Sequence, residues 1–431
     1  MYIYRGYSSV KKRLSYFCLF IFSLFCFAVP HDAFGSGFAI YTQNATALGQ
    51  ADSVIAHSDS PSSIFFNPAL INKLEGTQAE IGTTLIYPIR EFDSDATGRE
   101  FETENQVFFP STLYFTHKYN EKLSFGLGVF NNFGLATKWD DDWEGRYLAT
   151  NSELTIFTIN PVASVKLTDN ISVAAGLNFL ILDATLEKKL NLGFADAHQK
   201  FKGDGNGVGY NLGIVVDLTK DIAIGASYRS EIKVDIDGNV SHGLPAGTEF
   251  LRPLFPNTSA ETDLTLPAQF HLGIAYKGIP NLTLETGLRY EGWASYEKLK
   301  FDLDQPVVGN TTSVTEKKWE DTYTFNIGAD YRVKDNISLL VGYLYSGNPV
   351  PDETFEPAIP DSDTHLFTIG TEIRRKALSV GLSYGYQLLE ERKKNNFIDD
   401  NPADGVNPLT SANGRYNSDL HLLGISLTYR F

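Results

Sequence analysis

The sequence predicts an all-β fold, a transmembrane antiparallel β-barrel of about 14 strands with an N-terminal hatch, or plug, inside the barrel. From Thr77 onward, apolar and polar residues alternate over long segments, and a strand places alternate side chains on opposite faces. The connections between these segments alternate between short turns and long loops. The remaining segment, 36–76, follows neither pattern, so its apolar clusters need a packing partner elsewhere in the chain.

Residues 1–35 are predicted to form a secretory signal peptide. A basic stretch, 5–13, precedes an apolar run, 14–29, which is the usual order in such signals. That run is shorter than the roughly 20 residues that a membrane-spanning helix needs. Both cysteines, Cys18 and Cys26, lie in this leader. We therefore expect an exported protein whose mature form has no disulfide bond.

Composition narrows the class of protein further. The chain contains 36 Lys and Arg residues against 52 Asp and Glu residues, a formal net charge of −16, so nucleic acid is not expected as a partner. Beyond the leader, no apolar run is long enough for a helical span. If the mature chain crosses a membrane, it must do so with strands that close into a barrel.

The last strand shows the alternation most clearly. Every second residue from Leu423 to Phe431 is apolar, and small or polar residues such as Gly424 and Ser426 lie between them. A soluble β-sandwich would give the same local pattern. The predicted strands are roughly 12 to 18 residues long, however, whereas a typical strand has about five or six. We therefore favour the barrel.

The spacing of the loops supports the same conclusion. Every turn after an even-numbered strand is short, as at 119–121, and every other connection is longer. Short turns at one end, long loops at the other and an even number of strands are typical of barrels in the Gram-negative outer membrane. We predict strands near 77–91, 106–118, 122–137, 153–167, 171–188, 206–218, 222–237, 261–276, 281–299, 319–333, 336–346, 364–374, 378–391 and 419–431.

A barrel of this width encloses more space than its inward side chains can fill. We therefore assign 36–76 to a hatch inside a barrel formed by 77–431. An inert stopper remains an alternative to a moving hatch.

Several short motifs give the chain a recognisable signature. Phe38 lies near the start of the mature chain, and Asn67, Pro68 and Ala69 form an Asn-Pro-Ala motif. Together with five further motifs in the same order, they resemble the FadL family of outer-membrane transporters for long-chain fatty acids and other hydrophobic molecules. The further motifs are Asn132–Ala136, Gly145–Tyr147, Leu266–Ala268, Pro349–Asp352 and Ile359–Asp363.

The resemblance implies a route as well as a fold. A hydrophobic ligand would be captured near the outer loops, pass a pocket touched by the hatch, and leave sideways at a kink in the third strand. In this chain the kink falls at Asn131, Asn132, Phe133 and Gly134. The outward apolar series of that strand would turn the Asn131 amide toward hydrocarbon, which is costly without a partner. We expect strand pairing to break there, and a simple bulge without traffic is the alternative.

The residues at other inward positions predict an apolar passage rather than a water-filled pore. Apolar side chains along such a path are typical of small-molecule pockets. The predicted ligand-passage residues are Phe130, Leu180, Leu182, Leu340 and Leu344.

The predicted function is diffusion-driven uptake of hydrophobic molecules with lateral release into the membrane. The alternatives are a surface barrel for adhesion or phage attachment without transport, and a general porin. No catalytic constellation or metal-ligand spacing is present in the sequence, so we expect no enzyme activity, no cofactor and no metal. The expected partners are a hydrophobic ligand, outer-membrane lipid and lipopolysaccharide, and the outer-membrane assembly machinery, which would recognise a last strand ending at Phe431. We expect a monomer. The sequence does not separate a fatty acid from an alkane or an aromatic hydrocarbon.

Overall fold

The computed structural model describes residues 37–396, 398 and 411–431. The predicted signal peptide lies outside the described residues and stays a prediction. In the described part of the chain, no helix is both long enough and apolar enough to cross a membrane.

The described strands form one closed antiparallel sheet. Its 21 segments, β1–β21, pair antiparallel with their neighbours around the sheet. The first segment pairs with the last from Gln78↔Arg430 to Ser94↔Gly414, so the sheet closes on itself. Consecutive segments that continue one another combine into fourteen barrel strands, which confirms the predicted antiparallel β-barrel of 14 strands.

Each barrel strand consists of one segment or of two consecutive segments. In chain order, the fourteen strands are Thr77–Ser94 (β1); Glu100–Glu102 (β2) with Ser111–Lys118 (β3); Leu123–Phe130 (β4) with Gly134–Lys138 (β5); Asn151–Thr168 (β6); Ile171–Asn191 (β7); Asp196–Asp217 (β8); Ile222–Arg229 (β9) with Ile232–Gly243 (β10); Thr258–Leu266 (β11) with Gln269–Ile279 (β12); Leu282–Glu291 (β13) with Lys298–Val307 (β14); Asn310–Glu316 (β15) with Thr322–Lys334 (β16); Ile337–Ser346 (β17); Thr364–Arg375 (β18); Leu378–Leu389 (β19) with Arg392–Lys394 (β20); and Gly414–Arg430 (β21).

The wall has the two faces that the sequence predicts. In β21, the side chains of Leu423, Ile425 and Leu427 are exposed on the outside, whereas Ser426 and Thr428 are buried inside. An apolar outer face and a small or polar inner face suit a wall surrounded by lipid.

The N-terminal segment, residues 37–76, contains only short helices: α1 (Ala45–Leu48), α2 (Ser63–Phe66) and a 3₁₀-helix, Pro68–Lys73. The Asn44 side chain caps α1 by accepting hydrogen bonds from the Thr46 and Ala47 amides. α1 contacts β18, β19 and β21, and the 3₁₀-helix contacts β4 and β6–β8. The segment therefore lies against opposite parts of the inner wall.

Glycines in the wall make room for this segment. A Cβ atom on Gly342 would lie 2.4 Å from the carbonyl carbon of Gln50, and one on Gly225 would lie 2.1 Å from the Ile55 carbonyl oxygen. Backbone can approach a wall this closely only where the wall residue lacks a side chain.

The long loops fold over the outer end of the barrel around an aromatic core. Trp139 and Trp143 are stacked with ring centroids 4.3 Å apart, and all four tryptophans of the chain are buried. Two further 3₁₀-helices are present: Glu249–Leu251 lies in the loop between β10 and β11, and Trp293–Ser295 interrupts the ninth barrel strand between β13 and β14.

Candidate functional site

The third barrel strand is interrupted between Phe130, where β4 ends, and Gly134, where β5 begins. β4 reaches β6 at the pair Phe130↔Thr158, and β5 resumes at Gly134↔Thr155. Three residues of the third strand therefore lie opposite two residues of β6. Such a bulge bends the strand and exchanges its inward and outward positions.

The bulge accompanies a gap between the second and third barrel strands. Their ladder ends at the pair Leu113↔Val129. The next pairing between them is the bridge Thr103↔Trp139, beside which the Glu104 amide donates to the Lys138 carbonyl. Between these points, residues 105–112 and 130–137, all of which are described, share no backbone hydrogen bond.

The start of the N-terminal segment, residues 37–43, takes the place of the missing neighbour; we call it the arm. Ala39 forms a bridge with Phe133. The Ile40 amide donates to the Asn132 carbonyl at 2.9 Å, and the Gly134 amide donates to the Phe38 carbonyl at 2.9 Å. The edge of the third strand is thus partly satisfied by the arm instead of by the second strand.

The expected orientation of Asn131 is wrong. Its side chain is buried, and its amide nitrogen donates to the Ile156 carbonyl at 2.6 Å. The neighbouring Asn132 accepts a hydrogen bond from the Thr158 hydroxyl at 2.7 Å. The bulge turns both side chains toward the fourth barrel strand and the interior, so neither faces hydrocarbon, although the Asn132 amide nitrogen has no partner there among the described residues.

Phe38 lies in an aromatic cage above the gap. Its ring centroid is 4.7 Å from that of Trp293, 5.7 Å from that of Trp319 and 6.1 Å from that of Phe133. Edge-to-face contacts of this kind add modest stability to the buried apolar area. The cage fixes the position of the arm at its outer end.

An inner cavity of about 370 Å³ extends from the arm to the outside of the wall. Leu344 and Leu135 line its interior, and Phe109 and Phe157 line its other end. The last two side chains are 59% and 44% exposed on the membrane-facing surface. The cavity therefore has a mouth in the wall, between Phe109, two residues before β3 of the second barrel strand, and Phe157 on the fourth.

An outer cavity of about 430 Å³ lies among the long loops. Its lining is mostly apolar and includes Leu186, Phe201 and Phe301; it also contains the buried ion pair of Lys317 and Glu356. Both cavities are lined by the same four side chains, so these form the partition between them: Phe38, Leu135, Leu154 and Ile359.

Of the five predicted passage residues, only Leu344 lines one of these two cavities. The Phe130 ring packs 5.2 Å from that of Phe65 in the N-terminal segment. Leu340 lies against Gly49, and Leu180 and Leu182 belong to the outer core. The N-terminal segment and the loops cover these positions, which alternation alone could not reveal.

The Asn-Pro-Ala motif joins two parts of the N-terminal segment to the wall. The Asn67 amide nitrogen donates to the Ile55 carbonyl at 2.8 Å and to the Ile214 carbonyl of β8 at 3.0 Å. Its side-chain oxygen accepts from the Ala69 amide at 3.1 Å, which caps the 3₁₀-helix that begins at Pro68. Proline suits this first position because its φ is fixed and it lacks a donor.

A second attachment comes from Glu285 on β13. Its carboxylate accepts hydrogen bonds from the consecutive amides of Ile55, Ala56 and His57, and the His57 ring lies 2.6 Å away. Successive backbone amides form a natural anion site. The Glu285 carboxylate occupies that site and attaches residues 55–57, the base of the N-terminal segment, to the wall.

The arm is attached separately, by the outer loop before β18. The Gly37 amide donates to the Asp361 carboxyl at 2.9 Å. Burial raises the pKa of this carboxyl to about 7. The sequence reasoning missed Asp361 in this role, as it missed Arg90, Phe109 and Phe157 at the inner cavity.

We expect this carboxyl to make stability depend on pH. A raised folded-state pKa means that the folded protein binds the proton more tightly than the unfolded chain, so the free energy of unfolding falls as pH rises from about 4 to about 7. The full effect is at most roughly 4 kcal/mol. Thermal unfolding of the wild type and of Asp361→Asn at several pH values checks this. Parallel pH profiles of the two proteins would contradict it.

Comparisons with known proteins agree with this architecture. A family model described as outer membrane protein transport protein (OMPP1/FadL/TodX) matches residues 26–431. The chain is 25% identical over 388 residues to a long-chain fatty acid transport protein of Salmonella typhi, covering 83% of this chain and 88% of that protein.

Two crystal structures show the same fold. A Pseudomonas aeruginosa FadL homologue matches with a TM-score of 0.82 and 20% identity, over 92% of this chain and 100% of that one. The Pseudomonas putida toluene transporter TodX matches with a TM-score of 0.70 and 15% identity, over 93% of this chain and 99% of that one. With the family match over nearly its whole length, the chain belongs to the FadL/TodX family of outer-membrane transport proteins, and it resides in the outer membrane.

Proposed function

We propose that this protein mediates diffusion-driven uptake of hydrophobic molecules and releases them sideways through the gap in its wall. The observation that carries this proposal is the inner cavity, which begins at the arm and ends between the exposed side chains of Phe109 and Phe157. The relatives' names point to the same broad class, since one names long-chain fatty acids and another toluene.

The two cavities give the route an order. A molecule from outside first occupies the apolar outer cavity among the loops. It then passes the partition formed by Phe38 and its three neighbours and enters the inner cavity. Each buried CH₂ group is worth about 0.8 kcal/mol, so an apolar molecule gains nothing by entering water. The mouth of the inner cavity leads such a molecule into the hydrocarbon of the membrane instead.

The periplasmic end is poorly suited as an exit. Residues 60–72 of the N-terminal segment are all buried. The base of the segment is attached to the wall by Glu285 and by Asn67. A molecule that left by that end would have to displace these contacts and then enter water, so lateral release requires the smaller rearrangement.

Reconstitution in liposomes tests the proposal directly. We expect the purified protein to speed entry of a fluorescent long-chain hydrocarbon derivative into liposomes without speeding the sugar flux that causes swelling. Rapid sugar flux would favour a general porin, and no flux of either solute would favour a surface barrel without transport. Mass spectrometry of ligands extracted from the purified protein identifies the natural class.

A further inference from the structure

Arg90 lies where the wall is open. It belongs to β1, and its side chain lines the inner cavity. Its Nη1 atom donates to the carbonyl of Ala136, on the third barrel strand, at 2.9 Å. In an unbroken wall that carbonyl would face the second barrel strand, because the Lys138 carbonyl two residues later accepts from Glu104 of that strand. Arg90 therefore substitutes for a missing backbone donor.

Arg90 interacts electrostatically with Asp361, which also lines the inner cavity, but within the described residues it forms no ion pair. Two arginines line the inner cavity. Arg289 forms an ion pair with Glu291, with 3.4 Å between Nε and the carboxylate. Within the described residues, the Arg90 side chain makes one hydrogen bond, the bond to the Ala136 carbonyl. No described carboxylate oxygen lies within 4.0 Å of its guanidinium, the distance that defines an ion pair. A guanidinium carries five donors, so most of its capacity remains for a ligand.

We propose that Arg90 binds the anionic head of an amphiphile, such as an ionised long-chain carboxylate, while the chain of that molecule points to the mouth. This inference rests on the proposed function and specifies the ligand. A carboxylate accepts two parallel hydrogen bonds from a guanidinium, a strong arrangement away from bulk water. An alkane gains nothing from this group, and an aromatic hydrocarbon gains only a cation–π contact.

The geometry also couples binding to the wall. The head binds the same guanidinium that donates to the Ala136 carbonyl, so a head that draws the guanidinium toward itself loosens a link between the first barrel strand and the third. The chain then lies past Leu135 toward Phe157, which is the direction of the lipid. The ligand leaves with its chain first. Arg90 is thus a specificity-determining residue that responds to the head group.

The test compares three ligands of equal chain length: hexadecanoate, hexadecan-1-ol and hexadecane. Each is bound to the purified full-length protein in lipid nanodiscs above neutral pH, where the acid in water is ionised. We expect Arg90→Met to weaken hexadecanoate binding by about tenfold or more and to leave the other two within about twofold. Arg90→Lys, which keeps the charge without the fork of donors, should lose less.

A matched control is Arg415→Met, which removes an exposed arginine that lies 3.5 Å from Asp93 on the outer extension of the wall. It should leave the binding of all three ligands unchanged. Equal loss of all three ligands in both Arg90 variants, with normal barrel folding, would show that Arg90 only holds the wall together and would overturn the inference. Unchanged hexadecanoate binding in Arg90→Met would overturn it too.

Different results would contradict the proposed function. If the wild-type protein bound none of the three ligands, uptake of hydrophobic molecules itself would be wrong. If it bound the alcohol and the alkane but excluded hexadecanoate, uptake would stand and the role of Arg90 would be wrong.

Discussion

Cross-linking the two sides of the mouth should abolish uptake of hydrophobic molecules while leaving ligand binding near the wild-type level. The change is the pair Phe109→Cys and Phe157→Cys, joined by a bifunctional thiol reagent. Both cysteines present in the sequence lie in the predicted signal peptide, so residues 36–431 contain no native thiol that competes. The reagent closes the end of the inner cavity without touching the outer cavity, where capture begins.

A second pair controls for stiffening of the wall. Val341 and Ile369 face each other directly on β17 and β18 and are both exposed on the lipid side, away from the mouth. Their cysteine variant, treated with the same reagent, should transport like the wild type. Uptake is measured before and after treatment, with single cysteines as further controls. Undiminished uptake through a fully cross-linked mouth would refute lateral release at this position.

The second large effect concerns the Asn-Pro-Ala motif. Replacing Asn67 and Pro68 by alanine should lower uptake about tenfold or more while the barrel still assembles. The change leaves the Ile55 and Ile214 carbonyls without their donor and removes the cap of the 3₁₀-helix. Unsatisfied buried polar groups cost about 1–3 kcal/mol each, so the segment should lose its fixed position beneath the cavities.

Heat-modifiable gel mobility reports assembly, and uptake of a long-chain ligand reports function. Asn72→Ala is a matched control, because Asn72 is also buried in the N-terminal segment and donates to one wall side chain, Ser164, at 2.8 Å. We expect a smaller loss from it. Wild-type uptake in a well-folded double variant would mean that the motif serves only as a spacer.

The barrel was predictable because its pattern is local. Alternation fixes which residues face lipid, and short turns mark strand ends, so all fourteen strands were found. The outer ends of the strands were not predicted. For example, β8 begins at Asp196 rather than near 206. Above the membrane both faces meet water, so alternation fades although pairing continues. The interruption after Arg229 was missed for a related reason, since a bulge changes pairing without changing composition.

The candidate site was less predictable, because tertiary contacts determine it. The motif at 131–134 did mark the place where strand pairing stops. Whether an inward residue lines a cavity depends on where the N-terminal segment lies. Leu344 lines the inner cavity, whereas Phe130 packs against Phe65 of that segment. No sequence pattern marked Arg90, because its position matters only where the second barrel strand does not pair with the third.

Under the lateral release that we propose, the position of Phe157 along β6 determines which leaflet receives the transported molecule. From Phe157 to Leu167, the outward side chains at alternate positions are apolar, and Leu167 precedes the short turn that we place on the periplasmic side. Ten residues at about 3.3 Å each, tilted by about 40°, span roughly 25 Å. That is about the full height of the hydrocarbon layer, so the mouth lies at its outer margin. Molecules released there enter the lipopolysaccharide leaflet, and their passage to the inner leaflet depends on the membrane and not on the barrel.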